Sequence, residues 1–165
     1  MTINIKSIKK GFTLIELLIV IAILGILATS LFGNYLSSAQ KGRDGQRKHD
    51  LEQLQRALEM FYSDNGYYPA ANNGGQILGC PTGTACDWGD ETSGEFKSSA
   101  NGALYMKVIP KDPGSNSYCY KTNVSKTNYQ LYAILENTQD IKATLSASCN
   151  AKTYNFGVAS ANSTP

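Results

Sequence analysis

The chain has 165 residues, room for one domain of ordinary size with a modest core of its own. Its 15 Lys+Arg against 13 Asp+Glu leave a net charge of +2, which argues against a strongly basic nucleic-acid binder and against an acidic disordered tail. A charged fraction of 17%, beside plentiful Gly, Ser, Thr, Asn and Tyr, gives a surface that is polar without being charged, as in many exported proteins.

Residues 1–11 form a short polar head carrying Lys6, Lys9 and Lys10. From Phe12 to Gly33 the chain is almost wholly apolar, with Glu16 as its only charge. As a helix, these residues rise about 1.5 Å each and reach roughly 33 Å, enough for a hydrocarbon core of about 30 Å. An ordinary secretory signal, cleaved at Ser37-Ser38-Ala39, is the competing reading. The apolar run is too long for that, and a carboxylate inside its first turns is out of place. A charge near a bilayer core costs about 2.5–3.5 kcal/mol on insertion scales, so Glu16 is either solvated at headgroup level or awaiting a positive partner. The second is favoured.

The residues around it carry a resemblance. Lys9-Lys10-Gly11-Phe12-Thr13-Leu14-Ile15-Glu16, followed by the apolar run from Leu17 to Ala28, resembles the N-terminal signal of type IV pilins and type II secretion pseudopilins. The resemblance implies that a prepilin peptidase cuts after Gly11, removing residues 1–11, and methylates the new N-terminal Phe12. It also implies that Glu16 pairs with the N-terminal amine of a neighbouring copy during assembly of a helical homo-oligomer. An unpaired charge in a low-dielectric bundle costs more than the pair gains, so Glu16 would act as a register key. Many pilins lose helicity between a glycine and a proline; Gly25 matches the glycine, and Gly33 falls where the proline would be. Softening there and simple close packing of small residues stay as equal alternatives.

Beyond the span, Leu51, Leu54, Ala57, Leu58 and Phe61 recur at three- and four-residue steps. A single helix over 12–63 is expected, membrane-spanning over 12–33 and amphipathic over about 41–63. Asp64-Asn65-Gly66 ends it, and Tyr68-Pro69 bars its continuation. Lys41, Arg43, Arg47 and Lys48 would touch anionic lipid headgroups or DNA, or form a solvated and partly self-paired face; the last is the commoner case, and DNA has no other support. Counted plainly, the positive-inside rule does not favour an exterior C-terminus. The signal and the cysteines do.

The globular part is expected over 64–165. Residues 70–103, rich in Gly, Asn, Thr and Ser, read as a long variable loop anchored by Trp88 and Phe96. Leu104-Tyr105-Met106-Lys107-Val108-Ile109-Pro110-Lys111-Asp112-Pro113 resembles a turn of the major pseudopilins and, with Asp64-Asn65-Gly66-Tyr67-Tyr68-Pro69, extends the resemblance past the N-terminal signal. Within 104–165, strands are expected at 118–121, 129–135 and 154–158. The middle one would turn Tyr129, Leu131, Ala133 and Leu135 to one face. Fold class is therefore α+β: a long N-terminal helix packed on a small antiparallel sheet, pilin-like. Cys80, Cys86, Cys119 and Cys149 suit two disulfides in an oxidising compartment, against the alternative of reduced, buried thiols. Strand positions favour Cys119 with Cys149 and Cys80 with Cys86, although three connectivities are open. The ten tyrosines are expected to pack with their hydroxyls at the surface.

Secretion pseudopilins carry a closing loop with clustered acids that binds calcium. Here only Glu136, Asn137 and Asp140 are available, so a plain strand-end turn is expected and no metal. No nucleophile–base pair, phosphate loop or cofactor motif is present, and the one histidine is His49. A non-enzyme is expected. The first functional reading is a pilus subunit for adhesion, motility or DNA uptake, borne on a pilus assembly platform and ending outside the cell. The second is a pseudopilin of a type II secretion system, passing from the inner membrane to a periplasmic pseudopilus. A membrane-anchored or secreted binding module is the alternative from another class.

Overall fold

The computed structural model describes residues 11–80, 85–89, 95–98 and 102–165, with the backbone alone at 30–34. Lys6, Lys9 and Lys10 of the expected leader lie outside the described residues. The chain divides into two compact units, Met1–Ala39 and Gln40–Pro165. One helix, α1 (Leu14–Asn65), contributes to both. It starts two residues after the expected Phe12 because Thr13 caps it, and it ends two after Ser63. There Gly66 takes the left-handed conformation (φ +75°) that a side chain would resist, and its amide donates to the Tyr62 carbonyl at 2.8 Å. The backbone is helical through Gly25 and Gly33, with open space around Gly25.

Seven short strands follow among the described residues: β1 (Phe96–Lys97), β2 (Leu104–Met106), β3 (Cys119–Thr122), β4 (Tyr129–Ala133), β5 (Ala147–Cys149), β6 (Lys152–Tyr154) and β7 (Phe156–Ala159). They form an antiparallel sheet in the order β3-β4-β7, flanked by the two-stranded ladders β1-β2 and β5-β6. The three expected strands are those of the central sheet, shifted slightly. Tyr154 belongs to β6 instead of β7, and Leu135 leaves β4. The physical reason is Asn155, whose side-chain amide bonds both the N–H and the C=O of Leu135 (2.7 and 3.0 Å) in place of a ladder partner.

The core lies where the periodicity puts it. Leu51, Leu54, Ala57, Leu58 and Phe61 on α1 meet Tyr129, Leu131, Ala133 and Leu135, all buried. The loop anchors also pack as expected. Phe96 stacks on Phe61 at 5.3 Å between ring centroids, and Trp88 stands edge-on to Tyr118 at 5.8 Å. The opposite face of the sheet is covered too. Tyr132 and Cys119 join Cys149 and Tyr154 of the β5-β6 ladder in a second cluster. This is why β4 is buried on both sides, where alternation implied one.

The tyrosine hydroxyls depart from expectation. Tyr118, Tyr120 and Tyr129 are fully buried, and their hydroxyls donate inward to Asp50, the Pro69 carbonyl and Glu59 at 2.6, 2.7 and 3.1 Å. A core built from so many aromatic rings on two- to five-residue strands leaves no short route from ring to water. Each buried hydroxyl is satisfied internally instead.

Candidate functional site

Two places carry the chemistry, one in each unit. In the first, Gly11 and Phe12 precede the helix and are exposed, so the peptide bond between them lies outside regular secondary structure and is accessible. Thr13 and Glu16 then form a reciprocal cap. The Thr13 amide and hydroxyl donate to Glu16 Oε2 at 2.9 and 2.7 Å, and the Glu16 amide donates to Thr13 Oγ1 at 3.3 Å. This is the Ser/Thr-x-x-Glu pattern that satisfies orphan donors at a helix start. The sequence contained the signal in Thr13-Leu14-Ile15-Glu16, and it supplies a third environment for Glu16 beside solvation and an intermolecular cation.

Beyond the cap, the helix presents apolar side chains on every face. Leu14, Ile15, Leu18, Ile21 and Ile26 are each more than half exposed, and Val20 on another face is 45% exposed. A helix that is apolar all round needs a surrounding that is not water. Among the described residues no helix is long and apolar enough to cross a membrane. The expected span over 12–33 includes residues 30–34, whose side chains lie outside the described residues.

In the second unit the basic residues that follow the apolar stretch turn out to be engaged. Arg47 is fully buried. Its guanidinium forks onto Asp112 (Nε to Oδ2 2.7 Å, Nη2 to Oδ1 3.0 Å), reaches Asp44 one turn back at 2.7 Å, and donates to Glu136 at 2.8 Å. Arg43 grips the same Glu136 through Nε and Nη2 at 2.9 and 2.5 Å, and Lys48 pairs with Asp140 at 2.5 Å. Asp44 in turn accepts the backbone amides of Glu136 and Asn137. Gly114 passes close by, where a Cβ would stand 2.9 Å from Arg47 Nη2. The hydrogen bond from Arg43, with further help from Arg47, holds the Glu136 carboxyl down at about 2. Burial acts the other way on neighbouring Asp50 and pushes its carboxyl up, opposed by the hydroxyl of Tyr118. Three of the four basic residues are therefore ion-paired within the domain and poorly placed to meet lipid or DNA.

The fit of a calcium ion is decided by the same contacts. The segment between β4 and β5 offers only Glu136 and Asp140 as carboxylates, and their oxygens are occupied by arginine and lysine donors. Among the described residues no group of three or more His, Cys, Asp or Glu side chains is placed to hold a metal ion. The residues present do not fit the cation. The expected strand-end turn is there, with Asp140 donating back to the Asn137 carbonyl at 3.1 Å.

Disulfides join Cys80 to Cys86 and Cys119 to Cys149, with Cα–Cα separations of 5.4 and 6.5 Å. The first closes a small loop whose residues 81–84 lie outside the described residues. The second ties β3 to β5 and so holds the outer ladder to the central sheet.

Two family models match the chain: the prokaryotic N-terminal methylation motif over residues 6–32, and type II secretion system protein G over residues 34–144. Among curated proteins, the type II secretion system core protein G of Vibrio cholerae is 31% identical over 131 residues, covering 78% of this chain and 83% of the relative. That of Pseudomonas aeruginosa is 32% identical over 127 residues (76% and 82%), and that of Escherichia coli K12 is 31% identical over 111 residues (67% and 70%). No solved structure matches the chain significantly. These likenesses favour the second of the two filament readings, the secretion pseudopilin, over the surface pilus.

Proposed function

Because the chain belongs to the type II secretion system protein G family, we propose that it is a structural subunit, not an enzyme, which works by polymerising into a secretion pseudopilus. It enters the inner membrane through its apolar helix as a single-pass precursor, with lipid as its first partner. Prepilin peptidase cuts after Gly11 and methylates Phe12. The secretion assembly platform then stacks copies into a helical homo-oligomer in the periplasm.

The observation that carries this reading is the N-terminal helix, apolar on every face and bearing the single acid Glu16, whose carboxylate is held by Thr13 at the helix start. In a bundle of such helices, lipid-like surroundings make each charge costly unless it is paired. Cleavage frees an ammonium at Phe12, and Glu16 of an adjoining copy supplies the countercharge. A copy entering out of register strands one of the two.

The test is complementation of cells lacking this chain. The intact gene is expected to restore release of secreted proteins. Glu16→Ala is expected to be processed and inserted, yet to fail in assembly and secretion. A deletion strain that secretes normally but loses long surface fibres on electron microscopy would return the assignment to a pilus, and normal assembly of Glu16→Ala would remove the register role.

A further inference from the structure

We propose that Arg47, with Arg43 and Lys48, takes the place of a divalent cation in closing the segment between β4 and β5 onto the helix, so that this domain holds its shape without calcium. Four carboxylates, Asp44, Asp112, Glu136 and Asp140, converge on three cations from successive turns of one helix face. The arrangement has what a bound ion would provide: a positive centre fully withdrawn from water, with oxygens from three separate stretches of chain around it. Arg47 alone collects Asp44 of the helix, Asp112 of the Pro110–Pro113 turn and Glu136 of the closing segment.

The guanidinium suits this work because its planar fork satisfies two carboxylates bidentately or in parallel and keeps its charge at every accessible pH. The backbone is enlisted as well, since Asp44 accepts the amides of Glu136 and Asn137 at 2.9 and 2.8 Å. The closing segment is thus clamped through both its side chains and its main chain.

A calcium ion requires six to eight oxygens. To recruit Glu136 and Asp140 it would have to displace Arg43, Arg47 and Lys48, leaving a buried guanidinium short of partners. Breaking a buried pair from one side is the costly direction. The two arrangements exclude each other, and this chain has the cationic side chains.

The experiment is thermal melting of the full-length protein, extracted in detergent, in EDTA and in millimolar calcium chloride, beside Arg47→Met and Arg47→Lys. The parent is expected to melt at the same temperature in both buffers. Arg47→Met, which keeps the bulk but removes the charge, is expected to melt lower by roughly 10 °C. Arg47→Lys, which keeps the charge but loses the fork, is expected to fall between them. A parent melting temperature that drops in EDTA and returns with calcium would overturn the proposal, as would Arg47→Met melting with the parent. If Arg47→Met does not fold, the parent's response to the two buffers decides the matter unaided.

Discussion

Glu136 is the residue through which solution conditions reach the domain most directly. Its carboxyl titrates at about 2 where an ordinary glutamate titrates near 4.5, chiefly because Arg43 bonds the charged form. The folded state therefore binds this proton more weakly than the unfolded chain does. The stabilisation is whole above about 4.5 and is lost as the pH falls toward about 2. Glu136→Gln should cost about 1–2 kcal/mol at neutral pH, discounted for partial exposure, with the gap to the parent shrinking to nothing in acid. Urea melts of both proteins across that range measure it; a gap independent of pH would contradict the role given to the charge. Asp50 acts with the opposite sign. Its raised carboxyl costs stability as the pH rises through its folded value, but it is common to both proteins and cancels in the comparison.

Among the elements, the β5-β6 hairpin holds the least comfortable backbone. Its two connecting residues, Asn150 (φ 47°) and Ala151 (φ 59°), both sit in the left-handed region, the conformation that lets a tight hairpin follow the twist of its strands. Asparagine tolerates this; alanine pays about 1 kcal/mol or more for it. Ala151→Gly removes the strain and returns part of the gain as unfolded-state entropy, so the domain should become more stable by about 0.5–1 kcal/mol. Calorimetry of the two proteins checks this, and an unchanged or lowered melting temperature would show that the turn is not under strain.

The same hairpin marks where sequence reading reached its limit. The stripe Leu51–Phe61, the Gly66 stop and the alternation along β4 were legible because each is a repeated local pattern enforced by burial. A two-residue Asn-Ala turn between three-residue strands gives neither a period nor the glycine that advertises such turns. The Arg47 cluster was hidden for a different reason. Its Asp44–Arg47 spacing is a common surface motif, and only the folded chain brings Asp112 and Glu136 to it. The Thr13–Glu16 cap, by contrast, was present in the sequence and was masked by the attention Glu16 draws as a charge in an apolar run.

For the whole molecule, the two units divide the labour. Residues 40–165 form a domain with its own core, its own internal charge balance and two covalent ties. Residues 11–29 present apolar surface with a single acid, an arrangement that makes sense only in a bilayer or in a bundle of its own kind. Under the proposed function, the passage from one surrounding to the other depends on a single covalent event, cleavage between Gly11 and Phe12. Mass spectrometry of the protein recovered from cells tests this most directly. The mature chain should begin at Phe12 and carry one added methyl group on its amine; a chain that keeps its first eleven residues, or one that starts after Ala39, would contradict the account.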